Sequence, residues 1–260
     1  MNKAIVLVSG GLDSLVTACV ASRENDEIYF LHLNYGQRTE ERELTAFQKI
    51  CDYFKPNDQK VINIGYLKEF GGSSLIDKNI DIPINTEPFE VPNTYVPFRN
   101  GNMIAIACSW AEVLNTKLPI SQKCSYLQSD ICQSKSLSGN DYCIYTKKDF
   151  CHDNILKIYI GATEIEGSNY PDCRRDFFQS FEKAIDYGTR NNLKVKICTP
   201  LNSYSKADIV KLGKKMNIPF EYSWSCYSEN DIACGQCDSC LIRMRAFEKA
   251  GLHDPIPYRK

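Results

Sequence analysis

Two hydrophobic rhythms alternate along the chain. Ala4-Ile5-Val6-Leu7-Val8 is an unbroken, β-branched run, the pattern of a strand buried on both faces. Leu12 to Arg23 follows with Leu15, Val16, Cys19 and Val20 at helical spacing. Ile28 to Leu33 reads as a second strand, and Thr39 to Phe54 as a helix with a stripe of Leu44, Phe47, Ile50, Cys51 and Phe54. Val61 to Ile64 is a short third strand. Further on, Asn100 to Leu114 is helical, Leu156 to Ile160 extended, and Arg174 to Arg190 helical along Phe177, Phe178, Phe181, Ala184 and Ile185. Lys194 to Cys198 is a strand stopped by Thr199-Pro200. Ser205 and Asp208 open a helix to Met216 in a capping-box pattern, and a last helix lies near Leu241 to Ala250. This order predicts an α/β fold: a parallel twisted sheet, Rossmann-like, with helices on both faces and right-handed crossovers.

Two stretches break the rhythm. Residues 66–99 hold Gly71-Gly72, Pro83, Pro88, Pro92 and Pro97, so they are expected to be irregular, as a lid or a loose loop would be. Residues 115–154 are polar, rich in Ser and Lys, and carry Cys124, Cys132, Cys143 and Cys151; they read as an insertion. Those cysteines allow a second metal site, two disulfides or a solvated segment, and no C-x2-C decides among them.

Composition narrows the class. With 31 basic and 32 acidic residues among 260, the net charge is −1, and 43% of residues are hydrophobic. These values exclude a disordered chain and argue against a nucleic-acid partner bound through phosphates. The opening lacks the pattern of a signal peptide, and no run approaches a membrane span, so a cytoplasmic protein without a membrane partner is expected. In that compartment thirteen cysteines point to metal ligands or catalysis rather than disulfides.

The chemistry is concentrated at two places. Ser9-Gly10-Gly11-Leu12-Asp13-Ser14 joins the first strand to the first helix. Paired glycines let backbone amides approach an anion, the helix N-terminus adds unpaired N–H groups, and Ser9 and Ser14 add hydroxyls. Asp13 suits a magnesium-linked or loop-fixing role rather than direct phosphate contact. Neither a G-x-x-x-x-G-K-[ST] nor a G-x-G-x-x-G motif is present. Near the other end, Cys226, Cys234, Cys237 and Cys240 follow C-x7-C-x2-C-x2-C, which closes a tetrahedral thiolate site; structural Zn²⁺ is the first choice and an Fe–S cluster the rival.

The Ser-Gly-Gly-Leu-Asp-Ser loop resembles the pyrophosphate loop (PP-loop) of the N-type ATP pyrophosphatases, which cleave ATP between the α and β phosphates and adenylate a carbonyl-type oxygen. Together with the cysteine knuckle, it resembles the 7-cyano-7-deazaguanine synthase family of queuosine and archaeosine precursor biosynthesis. Asn34-Tyr35-Gly36-Gln37-Arg38, Tyr170-Pro171-Asp172-Cys173-Arg174, Thr199-Pro200-Leu201 and Ser205-Lys206-Ala207-Asp208 carry the resemblance further, over residues 3–114 and 156–250. Val96-Pro97-Phe98-Arg99-Asn100 is similar to the family's V-P-G-R-N with Phe98 in the glycine position, and Glu166-Gly167-Ser168-Asn169 stands for its D-Y-S-G.

The resemblance implies an adenine nucleotide alpha-hydrolase-like domain over 1–221, and a zinc knuckle with a helix over 222–260. It implies a ligase that turns 7-carboxy-7-deazaguanine and ammonia into the nitrile through two adenylations, with ATP, Mg²⁺ and one structural Zn²⁺, and a homodimer. Expected to hold ATP are Val8, Ser9, Gly10, Gly11, Leu12, Asp13, Ser14, Leu15 and Arg38. Ser9, Asp13, Ser14, Arg99 and Lys206 are the expected catalytic group. Tyr35, Glu164, Glu166, Tyr170, Asp172, Cys173 and Arg174 are candidates for the substrate: a guanine-like edge presents N–H donors that suit the carboxylates of Glu164, Glu166 and Asp172, and Tyr35 and Tyr170 read either as stacking on the base or as packing. Asp172 has a second reading as a helix cap, Cys173 as a packed thiol, and His32 is read as structural. Rival readings are a redirected paralogue that joins a deazaguanine-like acid to another acceptor, and a tRNA-modifying relative, which the weak charge disfavours.

Overall fold

The computed structural model describes residues 2–84, 91–116, 142–143, 148–149, 155–164, 169–190 and 193–259. Its chain order is β1 (Lys3–Leu7), α1 (Leu12–Glu24), β2 (Glu27–Asn34), α2 (Glu40–Phe54), β3 (Asp58–Asn63), α3 (Tyr66–Phe70), α4 (Arg99–Thr116), the two-residue pair β4 (Tyr142–Cys143) and β5 (Lys148–Asp149), β6 (Ile155–Ile160), α5 (Arg175–Gly188), β7 (Lys194–Cys198), α6 (Lys206–Lys215) and α7 (Asp238–Lys249). Five strands form one parallel sheet in the order β3-β2-β1-β6-β7. The strand order reverses direction beside β1, which pairs with both β2 and β6. A crevice opens at such a switch point, beyond the carboxyl ends of the strands, and it is where α/β sheets bind ligands.

The core lies on both faces of the sheet, because a parallel strand alternates its side chains between two helix layers. Ile5, Leu7, Leu31 and Ile158 pack with Ile104 and Ala107 of α4 and Phe178 of α5. Val6, Phe30 and Tyr159 pack on the other side with Leu15 of α1, Phe47 of α2 and Ile209 of α6. A third cluster joins Ala46 of α2 to Trp224 and the cysteine segment, so the C-terminal residues are built onto the main body.

The structure departs from the hydrophobic pattern in definable ways. Strand β3 begins at Asp58 rather than Val61, because it is an edge strand with one neighbour and needs no apolar residues at its start. Helix α7 begins at Asp238, so Cys240 lies in its first turn rather than in a preceding loop. The stretch expected to be wholly irregular contains the short helix α3.

Phe98 and Asn169 stand where the family pattern has glycine, and both adopt left-handed backbone, with φ of 53° and 55°. The loop before Arg99 thus keeps the conformation a glycine would take, and the Phe98 ring is accommodated against Phe177 at 5.6 Å and Phe181 at 6.4 Å. The cysteines Cys124, Cys132 and Cys151 lie outside the described residues, as does the question of what the insertion binds.

Ile158 is fully buried in the central part of the sheet. Ile158→Ala is expected to lower stability by about 2–5 kcal/mol, read as a lower urea midpoint at unchanged slope.

Candidate active site

A cavity of about 290 Å³ occupies the crevice. Its walls come from the β1–α1 turn, the segment after β2, the start of α4, the end of β6, Lys206 and the cysteine segment.

The β1–α1 turn is shaped by backbone rather than by long side chains. Gly10 has a φ of 88°, and a Cβ there would meet the Glu43 carbonyl oxygen at 2.6 Å. Only glycine satisfies both demands. The Gly10 carbonyl in turn accepts the Trp224 N–H at 2.9 Å. The N-cap of α1 is Gly11, which has no side chain to spend on the first-turn amides, and Gly11 to Ser14 line the crevice, as an anion site would require. Ser9 and Ser14 hydroxyls lie 3.2 Å apart, and Ser14 also donates to the Gly11 carbonyl. From below, His32 makes a 2.8 Å hydrogen bond to the Val8 carbonyl, and burial holds its pKa below the ordinary value, so it is a neutral prop. Gly161, at the end of β6, allows close approach to α1; a Cβ there would lie 3.0 Å from the Ser14 nitrogen.

Charged groups sit around this turn. Lys206, the first residue of α6, forms an ion pair with Asp13. The helix that presents it is capped as expected, with the Asp208 N–H donating to Ser205. Arg99 donates to the Tyr35 hydroxyl at 3.0 Å and lies over the same ring. Glu43 of α2 lines the cavity and accepts hydrogen bonds from Thr39 at 2.8 Å and Gln37 at 3.1 Å. Burial pushes its pKa up to about 7, an effect the Thr39 and Gln37 bonds partly offset. Nothing in the hydrophobic pattern singled out Glu43; its only sequence signal is a position one helical turn after Thr39, beyond the Tyr-Gly-Gln-Arg segment.

The expected site residues divide on placement. Val8, Ser9, Gly11, Leu12, Asp13, Ser14, Tyr35, Arg38, Arg99, Tyr170, Cys173 and Lys206 all line the one cavity. Gly10 lies behind the turn and Leu15 in the core. Arg38 is expected as a phosphate clamp, but its guanidinium donates to the carbonyls of Ser74, Asp77 and Ile80, so it buckles the 74–80 loop to the body. Asp172 neither offers a free acceptor to the cavity nor caps α5. It is buried, and its carboxylate accepts the Asn100 backbone N–H at 2.9 Å, capping α4 from 72 residues away. The Asn100 side chain also donates to the Cys173 sulfur. The Tyr-Pro-Asp-Cys-Arg and Phe-Arg-Asn segments are therefore two halves of one joint, reinforced by Thr94 and Tyr170, whose hydroxyls are 2.8 Å apart. Glu164 and Arg174 are solvent-exposed and away from the cavity wall, and Glu166 lies outside the described residues.

Cys226, Cys234, Cys237 and Cys240 bring their sulfurs within 4.8 Å of one another. The Cys234 N–H points at the Cys226 sulfur and the Cys237 N–H at the Cys234 sulfur, at 3.4 and 3.3 Å. Sulfurs gathered this closely and met by N–H donors fit a bound cation with four thiolate ligands. Cys226 itself touches the cavity, as do Tyr227 and Ser239. Arg243 fastens this segment through a two-bonded ion pair to Asp254 and a hydrogen bond to Ser223.

The family model for Queuosine biosynthesis protein QueC matches residues 3–123 and 150–251. The chain belongs to the QueC family. It is 42% identical to a 7-cyano-7-deazaguanine synthase of Chloroherpeton thalassium, covering 99% of this chain and 97% of that one. It is 40% identical to one of Nautilia profundicola over the full length of both, and 38% identical to one of Chlorobium chlorochromatii over 98% and 96%. Among the described residues no helix is long and apolar enough to cross a membrane.

Three outcomes are expected. Gly10→Ala forces a side chain into the Glu43 backbone at a left-handed position, and should cost about 1–3 kcal/mol and abolish nucleotide binding, read by melting and by calorimetric titration with ATP. Chelation of the four-cysteine centre should release about one metal ion per chain and lower the melting temperature, since the ligands assemble only in the folded state. The raised Glu43 pKa means the folded state binds more protons than the unfolded between the ordinary 4.5 and about 7. Stability from this group therefore falls as pH rises through that window. The melting temperature of Glu43→Gln should gain on that of the unaltered protein from pH 5 to pH 8.

Proposed function

We propose that this protein is an ATP-dependent ligase that converts 7-carboxy-7-deazaguanine and ammonia into 7-cyano-7-deazaguanine. The observation that carries this reading is the uncapped start of α1, with Ser9 and Ser14, opening onto the cavity that Arg99 and Lys206 also reach. Family membership and the similarity to 7-cyano-7-deazaguanine synthases support the substrate class.

The acid needs ATP because a carboxylate oxygen is a poor leaving group. Adenylation turns it into part of AMP, and after amide formation the amide oxygen needs the same treatment before it can leave as the nitrile forms. In this scheme the amides of Gly11, Leu12 and Asp13 and the hydroxyls of Ser9 and Ser14 hold the departing pyrophosphate. Lys206, already oriented by Asp13, stabilises charge that grows on the phosphates. Arg99, braced by Tyr35, orients the acid's carboxylate toward the α-phosphorus. Mg²⁺ carried by ATP would neutralise part of the phosphate charge. Tyr170 and Cys173 face the substrate ring from the α4–α5 joint. Cys226, Cys234, Cys237 and Cys240 would hold Zn²⁺, which with all four positions taken by thiolates would supply no reacting group, and the cluster would fix the segment from Trp224 to Tyr227 that lines the cavity.

The test is direct. Protein incubated with ATP, Mg²⁺, ammonium and 7-carboxy-7-deazaguanine should release AMP and pyrophosphate and form the nitrile, seen by mass spectrometry. Release of ADP and phosphate alone would remove the adenylation scheme. Lys206→Ala should lower kcat about 10²–10³-fold while the metal stays bound.

A further inference from the structure

We infer that Glu43 is the base that takes a proton from ammonium, so that free ammonia attacks the adenylated acid. The inference rests on the deazaguanine-acid reading of the cavity and adds the residue that generates its nucleophile.

Among the described residues, two carboxylates line this cavity, Asp13 and Glu43. Asp13 is ion-paired with Lys206. Glu43 is held by neutral donors, the Thr39 hydroxyl and the Gln37 amide, one to each oxygen. Each carboxylate oxygen keeps a second lone pair for another donor. The charged and titratable groups that act on it are Arg99 from α4, Tyr35 after β2, and Glu40 from its own helix. Arg99 and Tyr35, which act on this carboxylate, are the pair proposed to orient the acid, so Glu43 belongs to the end of the cavity where the acyl carbon is proposed to lie. A buried carboxylate held by neutral donors is unfavourable unless it receives a cation or a proton. Ammonium supplies both in succession. The pKa of about 7 places this carboxylate where proton transfer is efficient near neutral pH.

The step balances. Ammonium passes one proton to a Glu43 oxygen. The freed lone pair forms a C–N bond at the acyl carbon, the C–O bond to AMP breaks, and AMP departs with the bonding pair. The nitrogen loses a second proton to solvent, leaving the neutral amide. Glu43 returns its proton to solvent before the next turnover.

The experiment compares two amines on the full, metal-bound chain. Hydroxylamine is largely unprotonated at neutral pH and needs no base, whereas ammonium does. For Glu43→Gln, acid-dependent exchange of pyrophosphate into ATP should stay within about twofold of the unaltered protein. AMP release driven by ammonium chloride should fall about 10²-fold. AMP release driven by hydroxylamine should be nearly unchanged. Equal losses with both amines, or loss of the exchange itself, would show that Glu43 serves ATP binding or folding and overturn the inference. An unaltered protein that catalyses no exchange with this acid fails at the earlier step, and removes the deazaguanine reading together with the role for Glu43.

Discussion

Three segments far apart in sequence meet at the backbone of Gly10. The turn it belongs to opens helix α1 onto the cavity, the carbonyl of Glu43 in α2 leaves it no room for a side chain, and its own carbonyl receives the Trp224 N–H from the cysteine segment. The turn, the carboxylate-bearing helix and the four-thiol centre are therefore one mechanical unit. Displacing any of them moves the amides of α1. The same contacts bring the four thiols close to the cavity: Cys226, two residues after Trp224, belongs both to the cysteine cluster and to the wall.

A second unit is built on the other side of the crevice. Asn100 binds Asp172 and Cys173, Thr94 meets Tyr170, and Arg99 leans on Tyr35. Buried polar groups joined in this way hold a single geometry, because breaking one bond strands its partner without water. The cavity is thus framed by two walls, one built on the glycine turn and one on the α4–α5 joint. The 74–80 loop is tied to the body by Arg38.

Much of the fold was legible because its signals are local. The β-branched run before Ser9, the glycine pair and the capping pattern at Ser205 each specify their own structure within a few residues. The cysteine spacing did the same for the cluster of four thiols. What escaped was set by contacts distant in sequence. Asp172 looked like a free acceptor or a cap for its own helix, and only its partner 72 residues earlier gives it another task. Arg38 looked like a clamp for phosphate until the carbonyls of Ser74, Asp77 and Ile80 claimed it. Glu43 looked like any polar residue on an amphipathic helix, and its character comes from the wall it faces. The start of β3 was missed for the opposite reason, since an edge strand needs no apolar code.

That edge has a counterpart. Strand β3 opens with Asp58-Gln59-Lys60, where Lys60 pairs with Asp58, and β7 at the far edge carries Lys194 and Lys196, the first paired with Asp186. Lysines along both borders make it costly for a neighbouring copy to dock its own strand there, because desolvating the ammonium groups opposes the new backbone bonds. The sheet thus resists strand addition by a neighbouring copy without being closed into a barrel.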